Sequence, residues 1–533
     1  MKYLKKNKKV IITIIIIIIT IIRILLSYKL PTFYIKNLNY DDNLYIQQTN
    51  TILEGNYLGK YNSKTLVKGP IYSIFLALIS ISKIPYSMAL TIIYVISCST
   101  LAFSLKNYTK NKKLLILIYI LLLFNPISYS SDLFQRLYRN SLSISQLLFF
   151  LSFTINIINS KNDKTNIINS ILLGFTAAIM KLTREDTIWC TVTIVFIISY
   201  KLIQKRKIKT LIINTVPIAI IFIILNMISI INYKYYNIYS YNELTNSNFK
   251  NAYIKIQQIK TDEKKSNISI TRNDLYKLAE TSKIFNTTPH EIDVMYLEWQ
   301  DKDTKEINNG NIIWALRDFI YKNNKFENGK EANKYFKDLA NEIDSLFKNK
   351  TLEKEFIIPS IFLNTPTIDD IKRIPLNTIK TIKYTTNYEN IKSFSYKNIK
   401  NIITKEKINN KNYNYVIVED YHKTENLISK NINLINIIKL FYKFFTIIFS
   451  FVSILIIITN KKIIKKNFIV EFIILLIYLL ITVGIAYTHT VNFSAIRYFY
   501  LGNIYILQTI FIILILDKIN LKNIKRKNTS RKN

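Results

Sequence analysis

The chain has 533 residues, 49% of them hydrophobic, a formal net charge of +38, two cysteines and three histidines. The charge invites nucleic acid as a partner, but Ile, Lys and Asn are enriched together, as an AT-rich genome would produce, and no nucleic-acid module is recognisable, so no nucleic acid is expected. Two cysteines make no disulfide framework. Histidines without His-x-x-x-His or Cys-x-x-Cys neighbours give little support to a transition-metal site. No cofactor is therefore expected, with a divalent metal left open. The eight glycines form no phosphate-cradling motif, which argues against a nucleotide-driven pump and a nucleotide-sugar enzyme of the soluble kind.

The N-terminal sequence Met-Lys-Tyr-Leu-Lys-Lys-Asn-Lys-Lys runs into an Ile block over 10–28 that lacks a small-residue cleavage site. It reads as an uncleaved first span. Apolar segments then recur near 87–105, 114–131, 141–158, 167–181, 187–203, 210–232, 440–459, 467–487 and 498–516, about ten spans in all. The expected fold is mainly α: a polytopic membrane helical bundle with juxtamembrane helices and a largely helical extracytoplasmic insert. Three parts follow. Residues 1–232 form an N-terminal transmembrane module with a first outward loop at 29–69 and a juxtamembrane helix at 70–84. Residues 233–437 are a soluble insert, and 438–533 a C-terminal transmembrane module with a basic tail.

Basic clusters at 106–113, 201–209, 461–466 and 518–532 belong on one face by the positive-inside rule. They do so only if the apolar run 71–82, just after Pro70, does not cross the bilayer. Both termini then face the cytoplasm of a plasma (bacterial inner) membrane. The outward face receives residues 30–69, 132–140, 181–186, the insert and 489–497.

In the first outward loop Asp41 and Asp42 open an expected helix whose face carries Tyr45, Thr49 and Ile52. Carboxylates at that position suit the helix dipole, and capping is the plain explanation; a general base is the sharper one. Lys68, in Lys-Gly-Pro ahead of the apolar run, reads either as a snorkelling side chain or as a ligand for a lipid phosphate. Arg136 and Arg139 share a helical face between two spans and suit either a phosphate or ordinary headgroups. The cluster Lys181-Leu-Thr-Arg184-Glu185-Asp186 sits at a bilayer edge, where idle charges are expensive, though a local ion pair explains it equally.

The order Asp-Asp-x-x-Tyr, then Tyr-Leu-Gly-x-Tyr, then Thr-Leu-x-Lys-Gly-Pro-x-Tyr and an apolar helix resembles the first extracytoplasmic loop of the GT-C glycosyltransferase superfamily, which includes aminoarabinose and protein mannosyl transferases. Two non-spanning helices between the first two spans are a further likeness. In several members an Arg follows the acidic pair by two positions; here Leu44 stands there. The resemblance implies a polyprenyl-phosphate-linked sugar as donor and an extracytoplasmic lipid, glycan or protein as acceptor. Asp41 and Asp42 would be catalytic, with Lys68, Arg497, Arg136 and Arg139 toward the donor phosphate. Tyr45, Tyr72, Arg184, Glu185, Asp186 and Tyr498 would be substrate contacts, Arg497-Tyr498 matching a late Arg-Tyr of the family. Membrane lipids are expected partners. The competing class is a polar-lipid or polysaccharide transporter or flippase without chemistry.

Within the insert, helical periodicity predicts elements near 274–285, 290–299, 311–321 and 331–348. Trp314 reads as a core aromatic. The insert's place outside the membrane suggests an acceptor-handling or lid domain.

Overall fold

The computed structural model describes every residue except 1, 29, 36–40, 107, 110, 246, 261–266, 357–360, 362–363, 390, 396–420, 460–467, 494–495 and 530–533; of 2–9, 421–427 and 519–529 only the helical backbone is described. The expected basic cluster 461–466 lies outside the described residues.

The first half holds α1 (Lys2–Tyr28), α2 (Asp41–Leu53), α3 (Ile71–Ser82), α4 (Tyr86–Leu105), α5 (Lys112–Leu123), α6 (Asn140–Asn159), α7 (Asp163–Thr183), α8 (Ile188–Lys205) and α9 (Ile208–Tyr236). The insert holds α10 (Asn248–Gln257), α11 (Arg272–Thr281), α12 (Pro289–Trp299), α13 (Asn309–Lys322), α14 (Gly329–Lys348) and α15 (Ile368–Thr386). The chain then returns to α16 (Tyr421–Thr459), α17 (Ile469–Val491) and α18 (Gly502–Thr529). Among the described residues there is no β-strand, only two isolated bridges.

Among the described residues nine stretches are long and apolar enough to cross a membrane: those in α1, α4, α6 to α9, α16 and α17, and Lys112–Tyr129, which α5 begins. The chain is therefore a mainly α, multi-pass bundle. α18 adds a further long helix packed on α17 and α16. The apolar window of α6 is 83% buried and that of α1 only 11%, which puts α6 at the centre and leaves α1 largely to lipid. By contrast α3 has 12 residues, a length of about 18 Å, well short of a hydrocarbon core of about 30 Å. It packs on α2 and α7 instead.

The expected continuous span 114–131 is broken. Pro126 offers no N–H to the helix, α5 stops at Leu123, and Asn125 Oδ1 accepts the Ile127 N–H at 3.2 Å to start a short 3₁₀ turn. Arg23 of α1, fully buried, fills the break. Its Nε donates to the Leu123 carbonyl at 2.9 Å, its Nη2 to the Ser128 carbonyl and hydroxyl at 3.0 Å, and its guanidinium lies 4.0 Å from the centre of the Tyr129 ring.

The insert has its own apolar core, drawn from α10 to α14. Capping boxes start α11 at Thr271/Asp274 and α12 at Thr288/Glu291, the latter with Pro289 in the first turn. Leu58, Tyr61, Leu66 and Val67 of the first loop also belong to this core. Arg317 staples the join: its Nε donates to the Ser63 carbonyl at 2.6 Å and its Nη2 to Glu243 Oε2 at 3.0 Å, both side chains buried. The loop between α1 and α3 is thus shared, its first half lying on the bundle and its second half in the insert.

Loops 30–35, 126–139 and 184–187, with residues 492–493 and 496–500, meet the insert at one end of the bundle. Gly310 N–H donates to the Asn492 carbonyl, Ser131 N–H to the Lys392 carbonyl, and Asn242 Nδ2 to Glu185. At the opposite end Lys209 pairs with Asp163, and Lys518 with Glu471.

Candidate functional site

α2 opens on two neighbouring carboxylates in contrasting surroundings. Asp42 is fully buried and its oxygens are committed: Arg136 donates from Nε to Oδ2 at 2.8 Å and from Nη2 to Oδ1 at 2.7 Å, and the Ile35 N–H reaches Oδ2 at 3.0 Å. A parallel bridge between Phe33 and Arg136 holds the two segments in register. Asp41 points elsewhere and keeps 23% of its side chain exposed. Its Oδ2 lies 3.3 Å from Lys68 Nζ and accepts from the Tyr138 hydroxyl at 3.3 Å.

Lys68 is buried and sandwiched, with Asp41 on one side and the Trp314 ring 4.7 Å from its Nζ on the other. Gly69 allows this: a Cβ there would sit 1.9 Å from the Leu182 carbonyl oxygen. The Lys-Gly-Pro turn therefore rests directly on the backbone at the end of α7, with the Asp41 carboxylate on its other side. Trp314, expected as a core aromatic, packs half-buried against the insert core and also carries the insert to the first loop's lysine.

Titration separates the two aspartates. Burial pushes Asp41 up, but the Lys68 ammonium, the Arg139 guanidinium and the hydrogen bonds from Lys68 and Tyr138 outweigh it and hold the carboxyl below its ordinary value of 3.8. Burial lifts Asp42 above that value despite Arg136. Asp42 is the one with no oxygen to spare.

A second layer of charge surrounds the pair. Arg139 Nη1 donates to Glu185 at 2.7 and 2.8 Å and to the Thr183 carbonyl at 3.2 Å. Arg184 forks onto Asp186 and lies 5.0 Å from the Tyr500 ring centre. The His489 ring is 5.7 Å from Tyr500, and its Nε2 accepts the Arg497 N–H at 3.3 Å. Arg497 is exposed over Phe493 and, among the described residues, has no carboxylate partner. The arrangement thus brings Asp41, Asp42, Lys68, Arg136, Arg139, Arg184, Glu185 and Asp186 into one network, with Arg497 at its edge through His489 and Tyr500. Among the described residues Arg139 Nε and the buried Tyr45 hydroxyl have no hydrogen-bond partner.

The remaining tyrosines divide. Tyr45 packs edge-on against Tyr72 at 4.9 Å and faces Tyr138 at 6.3 Å. The Tyr72 and Tyr86 hydroxyls are hydrogen-bonded to each other at 2.8 Å, the Tyr86 hydroxyl also lies against the Arg136 carbonyl and the Ser141 hydroxyl, and Tyr72 is fully buried. Tyr498 packs edge-on against Tyr384 of α15, with ring centres 5.2 Å apart.

Sequence reasoning passed over Tyr138, His489, Tyr500 and the part played by Trp314. Tyr138 was within reach, lying between the two arginines already singled out. The others are joined to the acidic pair only by tertiary packing. Among the described residues no three His, Cys, Asp or Glu side chains converge as a metal-binding group. A cavity of about 270 Å³ opens on the insert between α12 and α13, lined by His290, Met295, Trp299, Asp318 and Phe319; it is not formed by the residues around Asp41. Comparison with protein-family models, curated proteins and solved structures gives no match.

Proposed function

We propose that the chain is a membrane glycosyltransferase of the GT-C type, moving a sugar from a polyprenyl-phosphate donor to an extracytoplasmic acceptor, a cell-envelope glycan, glycolipid or protein. The observation that carries this reading is the contact between Asp41 and Lys68, which brings a partly exposed carboxylate against a buried ammonium from the far end of the same loop. A base for the acceptor and a cation for the leaving phosphate are the two groups that such a displacement needs.

In the proposed step the acceptor oxygen attacks the anomeric carbon and its proton passes to Asp41, while the bond from that carbon to the phosphate oxygen breaks and the electron pair leaves on the phosphate. Lys68 and Arg497 stabilise that charge as it develops. A single displacement of this kind inverts the anomeric centre. The low carboxyl value of Asp41 fits a donor-free resting state. A bound phosphate competes for Lys68, weakens its hold on Asp41 and returns basicity to the carboxylate at the moment the base is needed. Asp42 holds Arg136 and so fixes the start of α2. The donor's lipid tail lies along the apolar helices, both termini are cytoplasmic, and the site faces outward.

The test uses purified full-length protein with a polyprenyl-phosphate sugar. Asp41→Asn is expected to lower transfer by about 10²- to 10⁴-fold, the usual contribution of a general base, while protection against heat by the donor persists. Near-normal transfer by that variant overturns the mechanism. Binding and translocation of the donor by wild type without any transferred product would favour a flippase.

A further inference from the structure

α15 falls within the stretch expected to be a soluble insert, yet it packs on α17 and touches α16 and α18. Its contacts descend into the bundle. Asn377 Nδ2 donates to Thr490 Oγ1 near the end of α17 at 2.7 Å. Gln508, two turns into α18, donates to Thr386 Oγ1 at 3.0 Å. Just beyond the helix, Tyr388 is buried between Tyr442 of α16 and Tyr505 of α18. A helix belonging wholly to a water-facing domain would not end among membrane spans.

At 100° per residue its side chains fall into three sectors. Asp370, Asn377, Thr381 and Thr385 face the protein, with Asp370 also closing the capping box on Thr367. A second sector carries Ile368, Ile371, Pro375 and Ile379, and Leu376 lies outside it, among the cations. The four aliphatic side chains among these are 57 to 75% exposed. Between the two lie the exposed cations Lys372, Arg373, Lys380 and Lys383. Of these four, only Lys372 is in an ion pair among the described residues, a solvent-facing contact of 3.9 Å to Asp369.

One face toward protein, one apolar and one basic is the division expected of a helix lying in a membrane interface, where the aliphatic side chains enter the acyl region and the cations reach phosphate headgroups. We infer that α15 is an interfacial helix embedded in the leaflet on the insert's side of the bilayer, and that Lys372, Arg373, Lys380 and Lys383 bind anionic phospholipid headgroups there. Bilayer is favoured over a second copy of the chain because the apolar sector is carried by a helix seated on three membrane helices, and because the cations beside it complement an anionic lipid surface. This inference does not depend on the glycosyltransferase reading.

The test places single cysteines at Ile371, Leu376 and Ile379, each labelled with a small fluorophore in full-length protein, with the buried Cys98 and Cys190 replaced by Ser. The protein is reconstituted in phosphatidylcholine vesicles with or without phosphatidylglycerol. All three labels are expected to be quenched by lipid-borne nitroxide and shielded from aqueous iodide, unlike a label at Glu298 on the exposed side of α12. Nitroxide carried on phosphatidylglycerol is expected to quench the Ile379 label several-fold more than the same nitroxide on phosphatidylcholine. That preference disappears when Lys372, Arg373, Lys380 and Lys383 are all changed to Gln. Iodide quenching equal to that at Glu298 overturns the inference. Shielding from both quenchers, with self-quenching that depends on protein density, overturns it in favour of contact between copies. Equal quenching by the two nitroxide lipids in wild type overturns the assignment of the cations.

Discussion

Two adjacent aspartates with different partners make different demands on substitution. Asp42→Asn leaves Arg136 buried beside a neutral amide, and losing one member of a buried pair costs on the order of 3–5 kcal/mol. Thermal or denaturant unfolding should register that loss, and unchanged stability would mean the Asp42–Arg136 pair does not hold the start of α2. Asp41→Asn leaves the buried Lys68 ammonium without its carboxylate and should cost stability as well, so its effect on transfer is read against protection from heat by the donor, which a lost base alone leaves in place. The pH response follows from the same geometry. Asp41 titrates lower in the folded chain than its ordinary 3.8, so its stabilisation is present above the unfolded-state value and is lost as pH falls through the folded one. Lys68→Met keeps the stem against Trp314 and removes the ammonium, leaving burial less opposed. The acid loss of stability should then begin at higher pH than in wild type, and identical acid profiles would count against the Asp41–Lys68 coupling.

The helices owe their legibility to period and caps, and their surprises to tertiary contact. Four insert helices were readable from apolar spacing bounded by Thr-Pro and Asn breaks, and the run 71–82 was readable as a short apolar helix following Pro70. α15 was hidden by Pro375 in its interior and by a composition that looks merely polar and basic. The stop in α5 was written in Asn125-Pro126, but its consequence depends on Arg23, which arrives from another span. Of the site, the acidic pair, Lys68 and the paired arginines were legible as residues. Their assortment into Asp42 with Arg136, Asp41 with Lys68 and Arg139 with Glu185 was not, because spacing along a chain does not tell which cation a carboxylate meets across it. At this scale Gly69→Ala is the sharp test, since its Cβ collides with the Leu182 backbone rather than with a side chain that can turn away. Overpacking of this kind costs about 1–3 kcal/mol, and the displaced turn should also weaken donor protection against heat. A variant as stable and as well protected as wild type would show that the turn is not held against α7.

Across the whole molecule, the insert and the loops that meet it occupy one end of the bundle, so the proposed orientation makes a single claim about all of them. Membrane-impermeant thiol labelling of cysteines at Lys64, Lys83 and Glu327 in intact cells should modify all three from outside, whereas a cysteine at Lys207 should react only after permeabilisation. Reaction at Lys64 and Lys83 from opposite faces would make α3 a crossing helix and sink the arrangement. Arg23 has a consequence for biogenesis. The Ile-rich stretch that carries it, Val10–Tyr28, is apolar enough to enter the bilayer, and Arg23 lies toward its C-terminal end, where an arginine costs less than the ~2.5–3.5 kcal/mol of a span's centre. Until α5 arrives, however, the guanidinium has neither the Leu123 carbonyl nor Ser128 to donate to. A nascent chain paused before α5 would therefore carry an unsettled first helix, one that tilts to lift its charge toward the headgroups, and synthesis of the broken fifth helix would be the event that draws it upright into its final seat.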